Sequence, residues 1–353
     1  MGLERLSRIG ATGTHAQDLF RDLKALFGQP LGAAPVQWIE LPTVRGRKDP
    51  HSVFMPHRFL QELYKHRPDV LRARLTGGRG ATEMYWSGLQ HADFVAHHPF
   101  LPRAHWPNII PIGFHGDGGP FSKQDSLFSL SWNSLSISAP TMQSRFLFSV
   151  VRKSDMVADT MEHLLKVFAW SCNVMLSGQT PHTDWMNNPL LGGGQDLAGG
   201  LRRALCQVRG DWEFYCQVFN FGRYNSEFMC PFCRASGTVA ALTWTDFSPT
   251  ALWRGTLWTH ESYIAHLHRN GLVVPMLFRM AIGLRLECTM VDVLHTVDLG
   301  LTGHICGNVI WWLVICVNVF GLPTYARRME ACQAHYKNGA RKDDAKISSG
   351  ESS

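Results

Sequence analysis

Charged residues are scarce in this sequence. Only 18% of the 353 residues are Asp, Glu, Lys or Arg, whereas 45% are hydrophobic. This balance argues against a wholly disordered chain, because there is ample apolar material for a core. The length allows one large domain or two of ordinary size. The formal charge of +6 is a mild basic excess, which suits a polyanionic partner.

The sequence also lacks the marks of a secreted protein. Its nine cysteines are odd in number, and most occur singly in apolar surroundings, which indicates no disulfide framework. The opening MGLERLSRIG carries charges from Glu4 onward and has no cationic-then-apolar leader. We therefore expect an intracellular protein, nuclear or cytoplasmic and not secreted.

Long apolar runs are rare as well. Only 299–322 lacks Asp, Glu, Lys and Arg over a length that would cross a bilayer core of ~30 Å. Its first half contains several glycines and polar residues, and its strongly apolar part, 309–320, is short and interrupted by Asn318. The sequence favours a buried helix and no membrane partner, with a span at 299–322 as the alternative.

Residues 1–104 are predicted to form a helical, basic N-terminal region. Candidate helices cover 15–27 and 56–74, and the second has apolar residues at helical spacing. Its many Arg, Lys and His residues form either a solvated face or an arm that contacts phosphates. The run RGRKDPH at 45–51 is either part of such an arm or a linker.

Three short apolar segments follow, at 109–114, 126–135 and 144–151, each bounded by turn-forming residues. They predict an antiparallel three-stranded meander, because the connections are short. Asp117 is expected just past the first strand, among glycines that let a ligand approach its carboxylate. A plain Asp–Gly turn is the alternative.

A helix is predicted over 154–176, capped by Ser154, and a later apolar segment at 201–219 contains Asp211. Three strands, a helix and a further segment ending near an acid match the start of a ribonuclease-H-like fold. We therefore predict an α/β protein with a ribonuclease-H-like mixed sheet in a core covering 105–325. Asp117 and Asp211 are the candidate catalytic pair, because two divalent metals need a shared carboxylate. Asp211 as an ordinary loop acid is the alternative.

The motif Cys230-Pro-Phe-Cys233 presents two thiols on one loop, as structural zinc sites do. No second CxxC exists, so His260 and His266 are the candidate remaining ligands of a Zn²⁺ in a knuckle insertion at about 225–290. Packed free thiols and a redox pair are the alternatives.

An acid–histidine box lies within 287–308. Asp292, His295 and Asp298 are spaced three residues apart, so on a helix they lie near one another and can support a metal site. The alternative is a helix start with capping acids and a core histidine.

Together these motifs resemble the catalytic region of CACTA-type (En/Spm) cut-and-paste DNA transposases. GDGGP at 116–120 is similar to the family's Asp–Gly–x–Pro-like segment, and Asp211 precedes a Cys-Pro-x-Cys knuckle as the family's second acid does. Asp292-Val-Leu-His295 looks like the family's Asp-x-Met-His box. The resemblance implies ancestral DNA strand cleavage and transfer with Mg²⁺ or Mn²⁺, DNA as the partner, and possible homo-oligomers.

The chain departs from that family in its third acid, usually a Glu on a downstream helix. Glu330 is the only glutamate between residue 300 and the polar end of the chain, and 326–353 is predicted to be a disordered tail. The chain looks cut short before the final acid, so an inactive copy is expected. The alternative function is a non-enzymatic, zinc-stabilised module that binds nucleic acid or protein through its basic N-terminal third.

Overall fold

The computed structural model describes residues 36–336, except 45, 47, 79, 121, 123–124, 140–143, 224 and 292–302. The chain divides into two compact units, one ending at Met290 and one beginning at Val291. The first unit contains β1 (Val36–Pro42), β2 (Lys48–Phe54), α1 (Pro56–His66), α2 (Pro68–Leu71), α3 (Ala81–Gly88), α4 (Asp93–Ala96), β3 (Ile109–Pro120), β4 (Ser126–Ser134), β5 (Arg145–Arg152), α5 (Ala158–Ser177), β6 (Arg202–Gly210), α6 (Trp212–Phe219), α7 (His260–Arg269) and α8 (Met276–Met280).

The sequence predicted a helical N-terminal region, but the structure has two strands there as well as helices. β1 and β2 form an antiparallel hairpin. In β1, Ile39 and Leu41 are buried while Trp38 and Glu40 are exposed, so the strand buries one face through its period of two. The helix predicted over 56–74 stops at His66, because Pro68 cannot continue it and begins α2. The helix predicted over 15–27 lies outside the described residues.

The central sheet has the strand order β5-β4-β3-β6. β4 is antiparallel to both β3 and β5, which confirms the predicted meander, and β6 is parallel to β3. The crossover from β5 to β6 runs through α5. The protein is therefore a mixed α/β structure with a mixed four-stranded sheet, as predicted at that level.

Helix α5 covers one face of this sheet. The Phe168 ring stacks on Phe114 of β3 with centroids 4.1 Å apart and meets the edge of Phe148 at 5.1 Å. Phe114, Phe148 and Phe168 are all fully buried, so the core lies between α5 and the sheet.

The predicted cap of α5 is wrong. Ser154 lies in a short 3₁₀ turn before the helix, and its hydroxyl donates to Asp125 at 2.8 Å. The helix begins at Ala158, and the hydroxyl oxygen of Thr160 accepts from the Val157 N–H at 2.8 Å. Thr160 thus satisfies one of the free N–H groups near the helix start.

The second unit contains α9 (Gly303–Trp311), a π-helical stretch at Trp312–Val317, and a helix over 325–336. The apolar segment expected to be buried is helical here but exposes most of its large side chains, including 55% of Trp312; Val314 is buried. No helix in the described parts of the chain is long and apolar enough to cross a membrane. The helix over 325–336 replaces the start of the predicted disordered tail.

Candidate functional site

The two candidate catalytic acids directly follow the last paired residues of two parallel strands. Gly116 of β3 pairs with Gly210 of β6 at the end of their parallel register. Asp117 and Asp211 are the next residue on each chain segment. Asp117 lies within β3, opposite Ser129 of β4, and not in a loop after the strand as predicted.

Asp211 has a clear local role. It is the N-cap residue of α6, and its Oδ1 accepts a hydrogen bond from the Phe214 N–H at 2.7 Å. Its second oxygen, Oδ2, accepts no hydrogen bond from the part of the chain that the structure describes. Asp211 therefore has a structural role as a helix cap that uses one carboxylate oxygen and leaves the other without a bond from the described residues.

Two glycines set the position of α6 against the sheet. Gly116 and Gly210 both face the buried ring of Phe214, and a Cβ atom at either glycine would overlap that ring. Without side chains there, the first turn of α6 lies directly over the two strands. This close approach places the Asp211 cap beside the end of β3.

Replacing Gly116 by alanine is expected to lower the free energy of unfolding by about 1–3 kcal/mol, because the new methyl group overpacks against Phe214. Chemical denaturation measures the change. Gly119→Ala on the same strand is the matched control, since no atom lies within 4 Å of its Cβ position. Equal stability of the two variants would show that α6 does not pack on Gly116.

Asp117 is exposed, and basic side chains lie beside it. Arg145 of β5 donates from Nη1 to Nδ1 of His115 at 3.0 Å. Burial lowers the pKa of the Arg145 guanidinium, and the nearby Asp117 carboxylate opposes that shift. The face of the sheet around Asp117 therefore carries charges of both signs.

A second arginine lies further along the same face. Arg209 of β6 donates from Nη2 to Oδ1 of Asn133, and its buried Nε has no hydrogen-bond partner. Gly113 leaves the space for this side chain, because a Cβ there would meet its guanidinium. Burial lowers the pKa of Arg209, and repulsion from Arg145 lowers it further. The sequence analysis did not identify either arginine as a site residue. The sequence shows them only as arginines within otherwise apolar strands.

The other acidic candidates lie elsewhere in the chain. Asp292, His295 and Asp298 lie outside the described residues. Glu330 is exposed on the helix over 325–336, in the second unit. Asp117 and Asp211 are the acids of the predicted set that lie in the described part of the first unit.

The predicted zinc ligands are only partly brought together. Cys230, Cys233 and His266 line one cavity of about 240 Å³, together with Trp258 and Tyr263. Burial raises the pKa of the Cys233 thiol, which disfavours a free thiolate there. Burial also lowers the pKa of His266, so its imidazole is neutral at neutral pH, as metal binding requires.

His260 does not line this cavity. Its Nδ1 accepts a hydrogen bond from the Leu286 N–H at 3.1 Å, and its ring meets the edge of Phe278 at 5.0 Å. His260 and His266 are six residues apart on α7, which places them on different sides of a helix with 3.6 residues per turn.

The donor chemistry fits the predicted metals only in part. Carboxylates suit Mg²⁺ or Mn²⁺, and thiols with imidazole suit Zn²⁺. However, within the described ranges no three His, Cys, Asp or Glu side chains lie close enough together to hold a metal ion. Asp117 and Asp211 thus supply carboxylate oxygens. Among the described residues, the side chains that line the cysteine cavity do not form the four-ligand tetrahedral arrangement of a zinc site.

Comparison with known proteins assigns no family. The sequence matches no protein-family model and no curated protein. The resemblance to the transposases therefore rests on the short sequence motifs alone.

Proposed function

We propose that this protein derives from a DNA transposase of the CACTA type and has a ribonuclease-H-like core. The observation that carries the proposal is the parallel pairing of β3 with β6, whose register ends at Gly116 and Gly210, the residues just before Asp117 and Asp211. The ribonuclease-H-like arrangement has an antiparallel meander, a helical crossover and a fourth strand parallel to the first. The order β5-β4-β3-β6 with α5 between β5 and β6 supports that assignment.

In this proposal the ancestral reaction is cleavage and transfer of DNA strands. A Mg²⁺ or Mn²⁺ ion at the acid pair would polarise the phosphate and lower the pKa of an attacking water. Asp117, exposed at the sheet edge, would bind the cation from β3. Asp211 would bind it through Oδ2 while Oδ1 remains in the cap of α6. We propose that this copy retains cation binding at Asp117 and Asp211.

Mn²⁺ titration of the purified full chain tests the proposal. Asp117→Asn and Asp211→Asn are each expected to weaken Mn²⁺ binding at least tenfold, since even outer-shell changes at metal sites cost about 10–100-fold. Asn preserves the N-cap of α6, so Asp211→Asn removes charge without removing the cap. Asp159→Asn, an exposed acid in the first turn of α5, is the matched control and should bind as the wild type does. Wild-type protein that binds no Mn²⁺, or Asp117→Asn that binds it unchanged, would contradict the proposal.

The second candidate function is a zinc-stabilised binding module without catalysis. It is supported by the shared cavity of Cys230, Cys233 and His266. Stoichiometric zinc that is lost in Cys230→Ser, together with no Mn²⁺ binding in the wild type, would favour this module over the transposase-derived acid pair.

A further inference from the structure

Two arginines lie together on the sheet face that carries Asp117. Arg145 is half-buried on β5, and Arg209 is half-buried on β6. Arg145 is positioned by the ring of His115 and Arg209 by the side-chain oxygen of Asn133. Neither partner is a carboxylate, so neither hydrogen bond neutralises a guanidinium.

The other arginines near this sheet edge are arranged differently. Arg152, at the end of β5, forms an ion pair with Asp125 at 2.9 Å, and Arg223 pairs with Glu213 at 2.7 Å. Over the described ranges, Arg145 and Arg209 have no carboxylate within salt-bridge distance. Two like charges held close together without a carboxylate partner favour binding of an anion.

The surroundings of the two arginines relate them to Asp117. The guanidinium of Arg209 fills the space over Gly113, and its buried Nε has no hydrogen-bond partner among the described residues. His115, which holds Arg145, is two residues from Asp117 on β3 and so shares its face of the sheet. Arg145 and Arg209 therefore lie on the sheet face that carries Asp117, and Arg145 is close enough for the Asp117 carboxylate to act on its pKa.

We propose that Arg145 and Arg209 bind a phosphate of a DNA strand whose backbone passes Asp117. This inference rests on the proposed function and adds a positioning site to it. A planar guanidinium donates two parallel hydrogen bonds to a phosphate, which a flexible lysine does not reproduce. The phosphate would lie next to the acid pair without needing a metal ion to hold it.

Binding of a fluorescent single-stranded oligonucleotide in EDTA tests the proposal without any contribution from a metal. Arg145→Gln and Arg209→Gln are each expected to raise Kd about tenfold. Each should also reduce the slope of log Kd against log salt concentration by about 1, the value for one lost phosphate contact. Arg152→Gln is the matched control, because it removes the same charge from the same strand but from an existing ion pair. Its Kd should stay close to that of the wild type.

Asp117→Asn is expected to change the affinity for the oligonucleotide in the opposite direction. Because the carboxylate repels phosphate, this variant should bind the oligonucleotide several-fold more tightly in EDTA while it loses Mn²⁺ binding. Asp117 is exposed, so the variant is informative even if Arg209→Gln does not fold. Arg145→Gln should keep Mn²⁺ binding, so failure of the arginine site and failure of the acid pair give different results.

Three results would overturn the arginine site. The first is equal Kd values for Arg145→Gln and Arg152→Gln. The second is unchanged or weaker DNA binding by Asp117→Asn in EDTA. The third is displacement of the oligonucleotide by micromolar pyrophosphate, which would assign the arginines to a small free phosphate compound.

Discussion

Replacing Phe214 by alanine is expected to lower the free energy of unfolding by about 3–5 kcal/mol, the range for truncating a buried aromatic ring. Phe214 is fully buried, and its ring stacks near Phe128 with centroids 5.9 Å apart. It also fills the space above Gly116 and Gly210, where no other side chain can compensate for its loss. Urea denaturation of the wild type and the variant gives the difference.

The same variant is expected to weaken Mn²⁺ binding, since Phe214 packs the first turn of α6 against the strands and that turn holds Asp211. Trp212→Ala is the control on the same helix, because Trp212 is 38% exposed and its truncation should cost much less. A loss of stability in Phe214→Ala with unchanged Mn²⁺ affinity would show that Asp211 does not take part in the cation site.

Replacing Arg203 by methionine is expected to have the opposite effect and raise the free energy of unfolding by about 1–3 kcal/mol. Arg203 of β6 is fully buried, and burial lowers its pKa to about 9. Among the described residues, its Nε and Nη2 have no hydrogen-bond partner, and Nη1 reaches only the sulfur of Met175 at 3.8 Å. The guanidinium lies 5.5 Å from the Trp132 ring, which offsets only part of the cost of burying a charge.

Methionine has similar reach and no charge, so the core should accept it without a large cavity. Arg202→Met is the matched control one residue away, where the side chain is only half-buried and a change within about 0.5 kcal/mol is expected. Thermal and urea denaturation at neutral pH compare the two variants. A large loss of stability in Arg203→Met would show that the buried guanidinium is compensated and that this explanation is wrong.

The sheet could be predicted from the sequence because its strands are short apolar segments bounded by turn-forming residues. The end of β3 was harder to predict, because GDGGP at 116–120 is typical of a turn, yet it pairs in register with β4 from Leu130 to Ser126. The N-terminal hairpin was missed because β2, KDPHSVF, contains a proline and charged residues that are unusual in a strand.

The candidate site was predictable only where the backbone determines it. Parallel pairing of β3 with β6 ends at Gly116 and Gly210, directly before Asp117 and Asp211, and the order of elements predicts this pairing. Which side of α7 faces the cysteines depends on packing, so spacing alone selected His260 beside His266, and the structure turns the two rings to different neighbours. Arg145 and Arg209 were missed because a single arginine in an apolar strand does not reveal which groups surround it.

The central claim is that Asp117 and Asp211 hold one cation between two parallel strands. A double-mutant cycle of Mn²⁺ affinity, measured by calorimetry on the wild type, Asp117→Asn, Asp211→Asn and the double variant, tests it most directly. If both carboxylates bind the same ion, each single change weakens binding at least tenfold, and the double variant is weakened by less than the product of the two effects. Unchanged affinity in either single variant, or effects that simply multiply, would contradict a shared site.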